Sequence, residues 1–327
     1  MNTLAVPAPT PDTSLGVPAP VPAGRTLSYL AHFGLAETPF GLTPDTDFFF
    51  ASPPHREALD TLLHALAGGE GFLRIVGAVG TGKTLLCRTL LAALPSGTRA
   101  LYLPNPALDP AGILRAVAAE LGFEFCDSES AYTVQRSIET RLIELAAAGI
   151  QVVLVIDEAQ ALSPESLETV RLLSNLETEK QKLLCIVLFG QPELDARLEI
   201  IPQFKTRISF HDTLRPLTRS ELAAYLDHRV ARAGRGPAAA PLFPARAVAA
   251  LHAASGGVPR VANVVAHKTL LLAWGRGLER PGLREVREAA RDTLAARPAS
   301  VRLRILAGIA LVAAGAIAGW LAQGILA

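Results

Sequence analysis

The residues of this chain that are best suited to chemistry form a glycine-rich octapeptide. Residues 77–84 read Gly-Ala-Val-Gly-Thr-Gly-Lys-Thr and fit the spacing G-x-x-x-x-G-K-[ST] of a phosphate-binding loop, or P-loop. Glycines let the backbone bend around a polyphosphate, and the exposed N–H groups then hold the anion. Lys83 could reach the β- and γ-phosphates, and the Thr84 hydroxyl could bind Mg²⁺. We therefore predict a site for ATP and Mg²⁺ formed by the whole loop: Gly77, Ala78, Val79, Gly80, Thr81, Gly82, Lys83 and Thr84.

A pair of carboxylates is the second candidate for chemistry. Asp157 and Glu158 come directly after Val152–Ile156, five consecutive apolar residues that are typical of a strand buried on both faces. The carboxyl end of such a strand would face the same crevice as the P-loop. Asp157 would then hold Mg²⁺, and Glu158 would polarise the water that attacks the γ-phosphate. The alternative is a solvated acidic pair at a strand end.

An amide side chain is the third candidate. Gln191 follows the apolar run Leu183–Phe189, in the segment Gly190-Gln-Pro-Glu-Leu194. Its amide could orient the attacking water or sense the γ-phosphate. Ordinary turn chemistry around Gly190 and Pro192 is the alternative.

Alternating sequence patterns predict the elements that position these residues. Short apolar runs typical of strands occur at residues 72–76, 100–103, 152–156 and 183–189. Helical patterns occur at about residues 53–66, 85–91, 111–121 and 131–148 and from residue 164. This alternation indicates an α/β fold with a parallel sheet and helices on both faces. From residue 216 the pattern is helical only, beginning with a capping box of Thr218 and Glu221, which predicts a small all-helical domain.

The two ends of the chain differ in composition from the middle. Residues 1–26 are rich in Pro and Ala, which predicts a disordered tail, or alternatively a docking arm or semi-rigid spacer. The uncharged apolar stretch Ile305–Ala327 predicts a transmembrane helix, with a buried or interfacial helix as the alternative. Because Arg302 and Arg304 precede it, we expect the body of the protein on the cytoplasmic side. The predicted organisation is a tail at 1–26, a sheet domain at 27–215, a helical domain at 216–298 and a membrane helix at 303–327.

The overall composition restricts the classes of function. The net charge is +1, so no bulk electrostatic attraction to nucleic acid is expected, although a local basic patch is possible. Cys87, Cys126 and Cys185 are scattered along the sequence, which is typical of thiols in a reducing compartment rather than of a disulfide framework. The seven histidines show no metal-ligand spacing with cysteines or with one another.

Several of these motifs in combination resemble the AAA+ ATPases of the general secretion protein A (ExeA-like) group. The resemblance covers about residues 29–292 and is carried by Tyr29–Leu35, Pro39–Pro44, Asp47–Phe50, Gly77–Thr84, Val152–Gln160 and Gly190–Leu194. Within the group, Asn175–Lys180 and Gln191–Asp195 are most similar to the ATPases of the MSHA-pilus branch. The resemblance implies a P-loop AAA+ fold followed by a helical lid.

The resemblance also implies roles for single residues. Residues 77–84 would be the Walker A motif, Asp157 and Glu158 the Walker B motif, and Gln191 sensor 1. Arg207 matches the position of an arginine finger, and Arg260 matches sensor 2 on the lid; surface salt bridges are the alternative for both. Asn105 resembles the polar residue that restrains the catalytic glutamate in many AAA+ proteins, with a simple turn residue as the alternative.

The expected function is that of an inner-membrane AAA+ ATPase that assembles or regulates an envelope machine. A type IV (MSHA-like) pilus is the first expectation, because the chain ends at Ala327 without a peptidoglycan-binding domain, and a type II secretion system is the second. We expect a homo-oligomer, in a ring or filament-like assembly, that contacts inner-membrane pilus or secretion proteins and no nucleic acid. A DNA-associated ATPase similar to transposition helpers and a nucleotide-gated scaffold with negligible hydrolysis are the alternatives.

Overall fold

A parallel β-sheet lies at the centre of the fold. The computed structural model describes residues 28–296 other than 44, 127–128, 180, 201–202, 204–206, 237–238 and 294. Within this part, the strands are β1 (Phe72–Gly77), β2 (Thr98–Leu103), β3 (Gln151–Ile156), β4 (Cys185–Gly190) and β5 (Phe210–Leu214). They pair in the order β2-β3-β4-β1-β5, and every pair is parallel. The strand that precedes the P-loop therefore lies between β4 and β5, and β3 is two strands away.

Helices fill the connections and form the C-terminal part. They are α1 (Ser28–Phe33), α2 (Pro53–Ala67), α3 (Lys83–Ala93), α4 (Pro110–Glu120), α5 (Ala131–Ala147), α6 (Pro164–Leu173), α7 (Glu193–Ile200), α8 (Arg219–Arg232), α9 (Ala245–Ser255), α10 (Pro259–Gly275) and α11 (Leu283–Arg291). Short 3₁₀ turns occur at Thr46–Phe48 and Ala159–Ala161. From α8 onward the described chain is helical, as the sequence predicts.

Strand β3 shows how the sheet is covered on both faces. Leu154 and Ile156 belong to a core shared with α4, α5 and α6, whereas Val153 and Val155 belong to a core shared with α2 and α3. Successive side chains of a strand point to opposite faces, so a strand in this position must be apolar throughout. The predicted α/β fold with a parallel sheet and helices on both faces is confirmed.

Local sequence signals determine where several helices begin. The Ser163 hydroxyl accepts a hydrogen bond from a backbone N–H of α6, and Pro164 occupies the first turn. Thr218 and Glu221 bond each other's backbone N–H groups in a capping box at the start of α8. Each of these contacts satisfies N–H groups that a helix start leaves without an intrahelical partner.

The helical lid, helices α8–α11, shares its core with the N-terminal residues. We call residues 28–43 and 45–50 the N-terminal strap. Tyr29, Phe33, Phe40 and Phe48 of the strap are buried in one cluster with apolar residues of all four lid helices. The sequence analysis placed these residues in the sheet domain, whereas their buried side chains pack on the lid.

Polar contacts reinforce the packing between strap and lid. The Arg229 side chain donates to the Pro39 carbonyl, and Arg232 Nε donates to the Asp47 carbonyl at 2.7 Å. The Arg229 guanidinium also lies over the Phe48 ring, 4.9 Å from its centroid, where a cation is attracted by the ring. The strap is therefore hydrogen-bonded to α8 at two positions, Pro39 and Asp47.

The prediction of a transmembrane helix and of an inner-membrane location needs correction. The stretch Ile305–Ala327 and the tail at residues 1–26 lie outside the described residues. Within residues 28–296, as far as they are described, no helix combines the length and the apolar character needed to cross a membrane. The longest helices in that part, α5 and α10, have 17 residues each, or about 26 Å, and a hydrocarbon core measures about 30 Å. The structure therefore gives the predicted anchor and location no support, and neither is carried further.

A pair of glycines in the lid tests how closely the segment before α10 approaches the segment before α8. Gly257 has φ +78°, and an added Cβ would overlap the Leu217 carbonyl oxygen; Gly277 has a similar φ of +66° but open space around it. We expect Gly277→Ala to destabilise the fold by about 1–2 kcal/mol through its left-handed backbone. Gly257→Ala should cost about 1–3 kcal/mol more, because the backbone must also shift. Urea unfolding measures both, and equal losses would contradict the proposed steric cause.

Candidate nucleotide-binding site

The P-loop connects β1 to α3 through a backbone that only glycine adopts readily. Gly80 has φ +82° and Gly82 has φ +103°, both in the region that side chains disfavour. An added Cβ at Gly80 would lie 2.6 Å from Arg260 Cβ, and one at Gly82 would lie 2.7 Å from His55 Nε2. Both glycines therefore also leave room for a neighbouring side chain to pack against the loop.

Lys83 is held inside the loop that it belongs to. Its Nζ donates to the carbonyls of Gly77 at 2.7 Å and Ala78 at 3.2 Å, and the residue is 5% exposed. Burial lowers the pKa of this ammonium group, and the carboxylates of Glu158 and Asp157 act in the opposite direction. The lysine is thus positioned at the loop before any phosphate binds.

Asp157 and Thr84 form the candidate Mg²⁺ site. Asp157 follows β3, is 2% exposed, and accepts hydrogen bonds from the Glu158 N–H at 2.9 Å and from the Thr84 hydroxyl. Burial raises the pKa of this carboxyl group, and the two hydrogen bonds oppose that effect. A buried carboxylate beside a hydroxyl supplies the oxygen ligands that Mg²⁺ takes in phosphate sites, so the residues fit the ion.

Glu158 has a strained backbone conformation, and two amide side chains bond to its carboxylate. Its φ of +51° makes it the one non-glycine residue with positive φ in the described part of the chain. Glu158 Oε2 accepts from Gln160 Nε2 at 2.6 Å and from Gln191 Nε2 at 3.3 Å. The Gln191 N–H in turn donates to Gln160 Oε1 at 2.9 Å. The structure therefore brings Gln191 to Glu158, and it adds Gln160, which the sequence analysis did not assign.

Asn105 bonds to the backbone of its own turn. Its Oδ1 accepts from the Ala107 N–H at 3.3 Å, as the side chain of a turn residue does. The groups that hold the Glu158 carboxylate are Gln160 and Gln191. The geometry thus favours the turn interpretation of Asn105.

Arg207 lies at the opposite edge of the sheet from its own P-loop. It comes shortly before β5, whose first residues pair with the start of β1, whereas the loop follows the end of β1. A strand of five or six residues spans roughly 17–20 Å. Arg207 donates to Ser174 Oγ at 3.4 Å and lies near the carboxylates of Glu168 and Glu177. The structure does not bring Arg207 to the site of its own chain.

Arg260 is in contact with the loop. Its backbone N–H donates to the Gly80 carbonyl at 3.2 Å, and its side chain packs on the space that the missing Gly80 side chain leaves open. Arg260 stands near the start of α10, so the lid touches the P-loop directly. Its positive charge also contributes to the lowered pKa of Lys83.

A cavity of about 140 Å³ lies where the loop, the lid and the strap meet. The Tyr225 hydroxyl donates to Asn263 Oδ1 at 2.8 Å, and Asn263 Nδ2 donates to the Gly41 carbonyl at 3.4 Å. The sequence analysis missed these residues of the cavity wall, because they come from α8, α10 and the strap, which are far apart in sequence. Two apolar side chains at the cavity are largely exposed, Leu42 at 58% and Val79 at 54%.

Comparison with known proteins agrees with this geometry. A family model described as an AAA domain matches residues 46–198. General secretion pathway protein A of Aeromonas hydrophila is 38% identical over 251 residues, which is 76% of this chain and 45% of that protein. The chain therefore spans less than half the length of this relative.

Solved structures show the same fold. Cdc6p from Pyrobaculum aerophilum aligns with a TM-score of 0.59 and 21% identity, over 76% of this chain and 71% of that one. Aeropyrum pernix ORC1, solved in complex with DNA, aligns with a TM-score of 0.56 and 23% identity, over 78% and 69% of the two chains. At these identities the likeness concerns the fold alone.

The sheet order, the P-loop and the domain match define an AAA+ ATPase of the P-loop class. Within that class, the chain is related to General secretion pathway protein A. The predicted relation to the general secretion protein A group is confirmed at this level. Closeness to the MSHA-pilus branch stays a prediction.

The strained backbone of Glu158 leads to a prediction about thermal stability. Asparagine adopts positive φ more readily than glutamate, so Glu158→Asn should stabilise the fold by about 1 kcal/mol. For a chain of this size that raises the Tm by about 1–2 °C. Glu158→Gln, which keeps both the length and the strain, is the matched control and should leave the Tm near that of the wild type. Calorimetry measures the difference, and a Tm that is equal for the two variants would show that the backbone is not strained.

Proposed function

We propose that this chain binds ATP with Mg²⁺ at the P-loop and hydrolyses it. The observation that carries the proposal is the convergence of three groups at the carboxyl edge of the sheet. The loop with Lys83 follows β1, the Thr84–Asp157 pair joins α3 to the end of β3, and Glu158 stands beside them. Nucleotide hydrolysis is characteristic of the AAA domain family, which supports the assignment.

Each of these groups has a distinct proposed role. The backbone N–H groups of the loop and the Lys83 ammonium would bind the β- and γ-phosphates. Thr84 and Asp157 would hold Mg²⁺, which would neutralise charge on the phosphate oxygens. Glu158 would accept a proton from the attacking water, and Gln160 and Gln191 would hold its carboxylate in place.

The lid and the strap would complete the site. Arg260 already touches the loop at Gly80, so its guanidinium is placed to contact phosphate. Leu42 of the strap and Val79 of the loop offer exposed apolar surface at the cavity, which suits the faces of a nucleotide base. Lid position would then depend on whether nucleotide is bound.

The first test separates binding from hydrolysis. Lys83→Ala should abolish ATP binding, because the phosphates lose their buried cation. Glu158→Gln should keep binding but hydrolyse ATP about 10²–10⁴-fold more slowly, because the proton acceptor is lost while Thr84 and Asp157 remain. Equilibrium binding and a phosphate-release assay measure the two properties. Equal turnover by the wild type and Glu158→Gln would refute the role of Glu158, and negligible turnover by the wild type would favour a nucleotide-gated scaffold.

We also propose that Arg207 acts on the nucleotide of a neighbouring copy in a homo-oligomer. Arg207 lies at the amino edge of the sheet, and the P-loop of the same chain lies at the carboxyl edge. About one strand length therefore separates Arg207 from the nucleotide site of its own chain. An arginine suits a role across an interface, because its charge is permanent and its planar group contacts two oxygens.

A mixing experiment tests the proposed role of Arg207. Arg207→Ala should lower turnover by about 10³-fold or more. Mixing it with Lys83→Ala protein should restore part of the activity, since each variant supplies the group that the other lacks. Arg171→Ala, which removes a nearby arginine paired with Glu168, is the control and should retain activity. Mixed oligomers that form but recover no activity would place Arg207 outside the site.

The proposed cellular role is the assembly or regulation of an envelope machine. The relation to General secretion pathway protein A supports this role, although the chain matches only part of that protein. A type IV (MSHA-like) pilus is the first candidate, on the similarity of Asn175–Lys180 to that branch, and a type II secretion system is the alternative. Affinity purification of Glu158→Gln protein with ATP, compared with Lys83→Ala protein, would identify partners specific to the nucleotide-bound state.

A further inference from the structure

A buried histidine on α2 contacts the P-loop from outside. His55 is 5% exposed, and its Nε2 lies 3.0 Å from the Thr81 carbonyl oxygen. Its Nδ1 lies 2.6 Å from the hydroxyl of Ser52, the fully buried residue that precedes α2. Nothing in the roles described above involves either residue.

The partners of His55 determine the direction of both hydrogen bonds. The Thr81 carbonyl can only accept, so Nε2 must carry a proton and donate it. In the neutral ring Nδ1 is then an acceptor, and the Ser52 hydroxyl donates to it. Burial lowers the pKa of His55, while the bond to Thr81 and the Glu221 carboxylate act in the opposite direction. The result is a chain of donors that runs from Ser52 through His55 to the loop.

The carbonyl that His55 holds belongs to the peptide between Thr81 and Gly82. This peptide is trans, so its C=O and its N–H point in opposite directions. His55 lies on the carbonyl side, on the outside of the loop. The Gly82 N–H is therefore directed to the inner side, where the loop can hold an anion.

Gly82 makes such a restraint necessary. Glycine populates positive and negative φ about equally, so the peptide before it can rotate at little cost. A rotated peptide would present a carbonyl oxygen to the phosphate in place of an N–H. The ring of His55 also occupies the space next to Gly82, where a Cβ would lie 2.7 Å from Nε2.

We propose that His55 is a positioning residue that fixes the Thr81–Gly82 peptide, so that the Gly82 N–H is aimed at the phosphates of the bound nucleotide. Ser52 orients the ring, and Phe49 at the end of the strap packs edge-on against it at 6.0 Å. The inference rests on the proposed nucleotide site, and it adds to that site two residues outside the P-loop, His55 of α2 and Ser52 directly before α2.

Two amide substitutions distinguish positioning from general structural support. A glutamine amide can replace Nε2 of histidine, whereas an asparagine amide overlaps the position of Nδ1. His55→Gln should therefore keep the hydrogen bond to the Thr81 carbonyl. His55→Asn should lose this hydrogen bond, although the asparagine still places a polar amide on α2. ATP affinity should fall by about 3–10-fold in His55→Asn, the usual effect of one hydrogen bond, and stay within about 2-fold of the wild type in His55→Gln.

The amide resonance of Gly82 gives a direct measurement of the peptide. In ¹⁵N-labelled full-length protein, ADP should shift the Gly82 amide signal in the wild type and in His55→Gln. The shift should be lost or much reduced in His55→Asn. Thermal unfolding of the same samples verifies that each variant is folded, and if His55→Asn does not fold, Ser52→Ala serves in its place, with an expected loss of affinity of about 3-fold.

The outcomes separate this inference from the proposed function. A wild type that binds no nucleotide, and equals Lys83→Ala in this respect, would refute the nucleotide site itself. A wild type that binds, together with His55→Asn that shows the same affinity and the same Gly82 shift, would overturn the role of His55. Loss of affinity in both His55→Gln and His55→Asn would assign His55 to packing rather than to the peptide.

Discussion

The close approach of two side chains to glycines of the P-loop is the constraint on which the rest of this structure depends. Gly80 and Gly82 carry no side chain, and the space this leaves is occupied by Arg260 of the lid and His55 of α2. The loop therefore contacts three separate parts of the molecule: the sheet through β1, the lid through α10 and helix α2 through His55. A loop with bulkier residues at these positions would both strain its backbone and separate the lid from the sheet.

Arg229 joins the strap to the lid, because its charge is stabilised by groups from both. Arg229 is buried between the Phe48 and Tyr225 rings and donates to Tyr225 and to the Pro39 carbonyl. Backbone carbonyls and aromatic faces stabilise a guanidinium without a carboxylate partner. Tyr225 and Arg229 also line the cavity at the P-loop, so a shift of these lid residues would change their contacts with the strap.

Much of this fold could be predicted from the sequence, because its strongest signals are local. The P-loop spans eight consecutive residues, and the buried strand before Asp157 is a continuous apolar run, so both motifs are visible without any knowledge of the fold. The contact of Gln191 with Glu158 could be anticipated because each follows a strand of one parallel sheet. The insertion of β4 between β1 and β3 could not be derived in this way, since periodicity carries no information about strand order.

The contacts that the sequence analysis missed join distant positions. His55 lies 26 residues before Thr81, and Asn263 lies 222 residues after Gly41. No local pattern marks His55 or Asn263 as part of a site, because each is a single polar side chain within an ordinary helix. Asn105 illustrates a different difficulty, because a polar residue at a strand end is compatible with both a family role and a simple turn, and the sequence alone does not distinguish them.

The sequence separation between the strap and the lid has a consequence for biosynthesis. The strap is synthesised before the sheet, and its burial partners on the lid are synthesised after the sheet; Pro39 and Arg229, for example, are 190 residues apart. At about 5–20 residues per second, the aromatic residues of the strap wait roughly 10–40 s for their core. During that interval the sheet can form, while Tyr29, Phe33 and Phe40 have no native surface to cover them. The strap of the nascent chain is thus exposed to aggregation and dependent on chaperones until the lid helices have been made.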